Sequence, residues 1–299
     1  MSNQWIATPT RTAAIMKQYD IQMKKSLGQN FLIEPNILEK MIASGQITKN
    51  TTVIEIGPGI GALTEFLAVH AKQVFAFEID ARFVDILSDT LQNYDNVHII
   101  HQDILQVDFS DPVYQTLQEA EDLVVCANLP YYITTPIILH LMMSSLPFRK
   151  LVMMMQKEVA QRMTAQVGSK SYNSLTIAIE NNMVTEIEFI VPKNVFIPKP
   201  NVDSAVLSLS RREQPLVEVD STSNFEHFVR LGFAQRRKTL WNNYKSSLLS
   251  ALFDTVDLQF LFEQTGIDPQ RRAEALDIYE FHKLYESYQA KLSANEVNP

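Results

Sequence analysis

Between about residue 50 and residue 156 the chain alternates two textures, and few architectures accommodate that alternation. Short apolar runs rich in β-branched residues occur at Thr52–Ile56, Val74–Ile79, Val97–His101, Leu123–Ala127 and Leu151–Met155. Helix-like stretches such as Leu63–His70 and Ala81–Gln92 lie between them. Continuously apolar strands of this length suit burial on both faces, and strands separated by helices read as βαβ units. The expectation is an α/β fold with a parallel, Rossmann-like sheet.

Beyond residue 156 the pattern changes. Lys157–Ala165 and Ser174–Asn182 read as helices, and Val184–Val191 and Ala205–Ser210 as strands added antiparallel at the sheet edge. Residues 211–224 (RREQPLVEVDSTSN) are polar with little periodicity and read as a linker. Helical signals then dominate: Phe225–Gln235, Leu248–Leu249 with Phe253, Leu258–Thr265 and Ile278–Lys291. With 299 residues, two domains are expected. They are a catalytic domain over 1–213, whose first 30 residues form an N-terminal arm, and a small all-helical domain over 214–299.

Composition narrows the class. Hydrophobic residues make up 46% and charged residues 20%, an ordinary globular balance that excludes a disordered chain. The single cysteine, Cys126, permits no disulfide framework and points to a reducing cytoplasm. The first 20 residues lack the apolar run of a signal peptide. The longest apolar stretch, Ile137 to Phe148, is broken by His140, Ser144, Ser145 and Pro147, so no membrane partner is expected. Nothing in the sequence calls for an oligomer, and a monomer is the reading.

The formal charge of −8 argues globally against a nucleic-acid binder, but it hides local islands. Between His227 and Phe253 stand Arg230, Arg236, Arg237, Lys238 and Lys245 with no acid. The arm adds Arg11, Lys17, Lys24 and Lys25 against Asp20. Such islands suit a phosphate backbone, or they form solvated helix faces.

The first strand runs into Gly57-Pro58-Gly59-Ile60-Gly61 and then a helix. Glycines let the backbone turn tightly and approach a ligand. Glu78 follows Gly57 by 21 residues at the end of the second strand, where an acid accepts hydrogen bonds from ribose hydroxyls. The Gly-x-Gly-x-Gly spacing departs from the Gly-x-Gly-x-x-Gly of nicotinamide enzymes. Asp103, after the third strand, is placed to accept from an adenine amine, or to cap a loop. Together these residues suggest S-adenosyl-L-methionine.

The fourth strand ends in Asn128-Leu129-Pro130-Tyr131. This turn suits methylation of an exocyclic amine, whose lone pair is delocalised into its ring. The Asn128 side-chain oxygen and the Leu129 carbonyl can accept the two N–H groups. Pro130 fixes the backbone, and Tyr131 offers a face for stacking the base. Orientation and proximity carry such a reaction, with no metal expected; the six histidines are scattered out of ligand spacing. A base inside a duplex must be flipped out or already unstacked to reach the site.

Several blocks resemble the KsgA-type ribosomal RNA adenine dimethyltransferases. They are Lys24–Leu32, Glu55–Thr64, Asn128–Tyr131 with Ile133–Pro136, Gln156–Val159, Phe196–Val206, Phe233–Leu240 and Arg271–Leu276. The resemblance runs from about residue 20 to 290. It implies dimethylation of N6 on two adjacent adenosines in a hairpin loop near the 3′ end of 16S rRNA. The partner it implies is the 30S subunit or its precursor, with a role in small-subunit biogenesis. By motif match, Asn30, Leu32, Gly57, Gly59, Glu78, Asp103 and Asn128 would hold the cofactor. Tyr131 and Phe196 would stack the base, and Lys24, Lys25, Arg236, Arg237 and Lys238 would face RNA. From the residues alone, Phe196 could equally plug the core, and Asn30 and Leu32 could pack and cap the first helix.

Four alternatives stand beside this reading. The macrolide-resistance dimethyltransferases share fold and chemistry but act on large-subunit RNA. A DNA adenine methyltransferase would need a target-recognition domain that is not visible. A non-catalytic assembly factor would not require Glu78, Asp103 and Asn128. A nicotinamide oxidoreductase explains neither the Asn128 turn nor the basic islands.

Overall fold

A computed structural model describes residues 4–21, 30–129 and 133–297. The chain divides into two compact units. The first comprises residues 1–160 and 184–211, the second 161–183 and 212–299.

The first unit opens with helix α1 (Pro9–Gln18), strand β1 (Phe31–Leu32) and helix α2 (Pro35–Ser44). Strand β2 (Thr52–Ile56) leads to α3 (Ala62–His70), β3 (Gln73–Glu78), α4 (Ala81–Thr90) and β4 (Val97–His101). The short α5 (Gln115–Gln118), β5 (Leu123–Asn128), α6 (Thr134–Met143), β6 (Phe148–Gln156) and α7 (Lys157–Met163) follow. The chain then passes through α8 (Ser174–Glu180), which belongs to the second unit, and returns as β7 (Met183–Val191), β8 (Phe196–Ile197) and β9 (Ser204–Arg211).

Seven strands form one sheet in the order β4-β3-β2-β5-β6-β9-β7. Neighbours from β4 through β6 run parallel, and β9 pairs antiparallel with β6. All five residues of β2 are buried, as expected of a central strand covered on both faces. The chain order reverses at β2. It steps out through β3 and β4 on one side, then returns to β5 on the other, opening a crevice at the carboxyl ends where ligands bind in such sheets. Helix starts are locally encoded: Asp80 accepts from the Arg82 amide ahead of α4, and Glu34 from the Asn36 amide ahead of α2.

The expected arm is partly built into this unit. Ile6, Ala7 and Ile15 are buried, and the Trp5 ring packs on Phe66 with centroids 4.3 Å apart. The Ile6 amide donates to Glu65 Oε2 at 2.7 Å. Burial raises the Glu65 pKa, and the Ile6 amide, the Arg11 charge and the Tyr94 hydroxyl offset part of that rise. Arg11 therefore serves the fold here.

The second unit contains α9 (Thr222–Gly232), α10 (Leu240–Ser247), α11 (Thr255–Thr265) and α12 (Ile278–Val297). Its core gathers Phe225, Phe228, Tyr244, Leu261 and Phe281. Tyr172 and Ile177 join that core, so residues 161–183 group with the helical unit and not with the sheet that precedes them. This boundary differs from the single division at 213/214 read from the sequence.

Two local expectations are corrected. Residues 211–224 are not a free linker: the Leu216 amide donates to Asn181 O at 2.9 Å, the Val217 amide to Asn181 Oδ1 at 3.0 Å, and Val217 is buried. Two apolar side chains among polar neighbours suffice to dock the segment. The helix expected around Leu248–Phe253 instead ends at Ser247, and Ser250 and Phe253 form an isolated bridge. The helix that does form, LWNNYKSS, starts at a Thr239 side chain that accepts from the Asn242 amide.

Candidate active site

The crevice at the carboxyl edge of the sheet is lined by most of the residues singled out from the sequence. Gly57 and Gly59 come from the loop after β2, Glu78 from the end of β3, and Asp103 from the turn after β4. Asn128 and Leu129 come from the end of β5. The far wall holds Asn30, Phe31, Leu32 and Phe196. These last meet through a two-stranded pairing in which Leu32 stands opposite Phe196 and Phe31 opposite Ile197. Lys24, Lys25, Pro130 and Tyr131 lie outside the described residues.

The glycine loop is conformationally demanding. Gly59 has φ +58°, and a Cβ there would lie 3.3 Å from the Phe31 ring. Gly57 has φ +67°, and a Cβ there would meet nothing within 4 Å, which leaves its backbone open to a ligand. The Gly59 amide donates to Glu78 Oε2 at 3.1 Å, and the Asp80 amide to Glu78 Oε1 at 2.9 Å. Burial raises the Glu78 pKa, and these two amides pull it part of the way back.

Asp103 Oδ1 accepts from the Leu105 amide at 3.0 Å and caps the 3₁₀ turn Ile104–Gln106. Both sequence readings of Asp103 thus meet in one residue, since the capping side chain also lines the crevice. The Leu129 amide donates to Met154 O on β6 at 3.0 Å, which extends the β5–β6 pairing into the turn. That bond anchors the backbone on which the Asn128 side chain stands. Phe196 is 4% exposed and faces the same crevice, so its packing and its place in the site are not alternatives.

Some lining residues were not singled out from the sequence, among them Glu55, Phe31, Ile79 and Gln102. Glu55 had a signal: it is the one acid in an otherwise apolar central strand, TVIEI. Gln102 accepts from the Tyr114 hydroxyl at 2.5 Å, a partnership that sequence spacing does not reveal.

In the second unit, Arg236, Arg237 and Lys238 lie together in the exposed turn between α9 and α10. Asn243, buried in α10, pins that turn. Its Nδ2 donates to Gly232 O at 2.5 Å, and its Oδ1 accepts from the Gln235 amide at 3.2 Å. Arg236 also pairs with Glu274 at 3.0 Å. Among the described residues no cluster of His, Cys, Asp and Glu could hold a metal ion, and no helix is long and apolar enough to cross a membrane.

The crevice fits S-adenosylmethionine by its donor and acceptor chemistry. Glu78 suits ribose hydroxyls, Asp103 an adenine amine, and the open backbone at Gly57 a closely approaching chain. A buried, unpartnered carboxylate oxygen on Glu55 suits a cationic group.

Comparison with known proteins is consistent over nearly the whole length. Residues 21–290 match the family model described as ribosomal RNA adenine dimethylase. The chain is 52% identical over 287 residues to ribosomal RNA small subunit methyltransferase A of Staphylococcus aureus (strain Newman), covering 96% of both chains. Among solved structures, a dimethyladenosine transferase from Plasmodium falciparum superposes with a TM-score of 0.73 at 28% identity, covering 87% of this chain and 98% of that one. The 23S rRNA methyltransferase ErmE, at 24% identity and a TM-score of 0.64, shares the fold over 86% of this chain and 99% of its own.

Proposed function

Because this chain belongs to the ribosomal RNA adenine dimethylase family, we infer that its crevice is a methyl-transfer site acting on adenosine N6 of small-subunit rRNA. It is an S-adenosylmethionine-dependent rRNA (adenine-N6,N6)-dimethyltransferase. The substrate in this reading is a hairpin loop near the 3′ end of 16S rRNA, in which two adjacent adenosines are dimethylated. The observation that carries it is the placement of Asn128 and Leu129 over the same crevice as Gly57, Glu78 and Asp103.

When bound, S-adenosylmethionine supplies a methyl group already activated on a sulfonium. The chain's own task is then to bind and orient. Glu78 holds the ribose hydroxyls and Asp103 the adenine amine of the cofactor. Asn30, Leu32 and the Gly57–Gly59 backbone complete its pocket. Asn128 Oδ1 and the Leu129 carbonyl accept the two N–H groups of the target amine, which turns its lone pair out of ring conjugation. Phe196 and Tyr131 stack the flipped base. The buried setting excludes water and strengthens each of these polar contacts.

The basic residues Lys24, Lys25, Arg236, Arg237 and Lys238 contact phosphates, which positions RNA without reading its sequence. We place the enzyme in the cytoplasm, as a monomer that meets its rRNA in the 30S subunit or a precursor of it. The test is transfer from labelled S-adenosylmethionine to 30S subunits lacking the two dimethyladenosines, with 50S subunits in parallel. Label recovered as N6,N6-dimethyladenosine from 30S alone supports the reading. Label in 50S moves the target to the large subunit, and label in neither removes the catalytic assignment.

A further inference from the structure

The first unit carries a second groove, distinct from the cofactor crevice although Gln102 lines both. Its floor is apolar, built from Phe75 of β3, Ile100 of β4, and Tyr114 and Leu117 of the segment that leads to β5. Val113 stands on its rim at 74% exposure, an aliphatic side chain held in water beside that floor. The charged residues lining the groove are Asp108 and Asp111, both exposed. Strand β4 is the outermost of the sheet on this side, and among the described residues no strand pairs with its outer edge. Its residues are half-buried or exposed, in contrast to the fully buried β2. Such an edge offers a row of backbone donors and acceptors to an extended chain.

Charge decides which chain. Between Arg82 and Arg149 the sequence has nine acidic residues and no lysine or arginine. The whole chain carries −8, so this one stretch holds all of its net negative charge. It contains most of α4, all of β4 and the residues from 102 to 117 that wall the groove. A ribosomal particle presents two polymers to an enzyme that works on it: polyanionic RNA, and protein segments that are basic where they meet RNA. An anionic groove repels the first and attracts the second, and a second copy of this chain would bring like charge against like.

Resting on the reading of the 30S particle as substrate, we propose that the groove beside β4 docks an extended, lysine- or arginine-rich protein segment of that particle. The backbone of the segment pairs with the open edge of β4. Its apolar side chains pack on Phe75, Ile100 and Val113, and its basic side chains meet Asp108 and Asp111. The groove thereby holds the protein part of the particle while the methyl-transfer crevice takes the RNA.

The first test uses the full-length enzyme and a fluorescein-labelled ten-residue peptide of alternating lysine and valine, followed by anisotropy. Wild type is expected to bind it, more weakly as salt rises. Asp108→Asn with Asp111→Asn removes two charges yet keeps acceptors for the Ser110 and Val113 amides that these side chains cap. This pair should weaken binding by about five- to tenfold, the scale of two exposed ion pairs. Val113→Ser should weaken it as well. Glu119→Gln with Glu121→Gln removes two charges from the same acidic stretch outside the groove lining and should leave affinity within about twofold of wild type. Absence of peptide binding by the wild type, or equal loss in the two charge pairs, overturns the proposal.

The second test places p-benzoylphenylalanine at Val113 and irradiates the enzyme on purified 30S subunits after co-sedimentation. A crosslink to a basic protein segment, lost in the Asp108→Asn and Asp111→Asn background, is the expected result. A crosslink to rRNA alone, or none from enzyme that co-sediments, overturns the proposal. Failure to co-sediment while the peptide still binds would instead remove the 30S reading on which the identity of the partner rests.

Discussion

The Gly59 amide donates a hydrogen bond to Glu78 Oε2 at 3.1 Å, tying the glycine loop after β2 to the acid at the end of β3. One carboxylate therefore shapes the loop and presents acceptors to the crevice. Glu78→Ala should weaken binding of S-adenosylhomocysteine by about ten- to a hundredfold, the scale of lost hydrogen bonds to a charged group. Glu78→Gln, which keeps one acceptor, should fall between. Calorimetric dissociation constants check both, and wild-type affinity in Glu78→Ala would exclude the role.

Phe196 plugs the core and walls the crevice together. Phe196→Ala should cost about 3–5 kcal/mol of stability through the cavity it leaves. Phe196→Leu retains most of the volume and should melt close to the wild type, yet raise KM for RNA because an aliphatic side chain cannot stack on a base. A normal KM in Phe196→Leu would leave this residue with packing alone.

Stability should record the state of Glu55. An unfolded carboxyl ionises at its ordinary value of 4.5, whereas in the fold burial pushes Glu55 up to about 8. Between these values the folded chain holds a proton that the unfolded chain has lost. Stability of the ligand-free protein therefore falls as pH rises through the window and levels above it. The contribution is on the order of 5 kcal/mol. Urea titrations at pH 5 and pH 9 should show wild type losing ground to Glu55→Gln, and parallel pH profiles would contradict this.

Asn243 holds the basic turn without adding charge to it. Asn243→Ala removes its bonds to Gly232, Gln235 and the Gln235 carbonyl. It should loosen Arg236, Arg237 and Lys238 and weaken rRNA binding severalfold at unchanged net charge. Filter binding across a salt series checks this. The salt slope should stay near wild type if all three charges still reach phosphates, and drop if the turn is lost.

What the sequence revealed, and what it concealed, has physical reasons. The parallel strands were legible because burial on both faces demands continuous apolar runs, and β2 and β4 match their expected bounds. Gly57, Glu78, Asp103 and Asn128 were legible as residues of one crevice because a strand–loop–helix unit brings such positions to fixed strand ends. The two-residue strands β1 and β8 were not, since no periodicity exists over two residues. Nor was α1, whose docking rests on Ile6, Ala7 and Ile15 with one buried bond to Glu65. Residues 161–183 joined the helical unit through Tyr172 and Ile177, a tertiary choice that local pattern does not encode. Glu55 was passed over because an acid within an apolar strand reads as a flaw in the pattern until its burial is seen.

The central claim is that Asn128 orients the target amine over the cofactor crevice. The most direct measurement is a paired assay on Asn128→Ala. It would measure single-turnover methyl transfer to undimethylated 30S subunits, together with equilibrium binding to the same particles. Transfer should fall by at least about a hundredfold, as when an oriented polar contact to the reacting group is lost, while 30S binding stays within about twofold of wild type. Transfer at near-normal rate would contradict the claim.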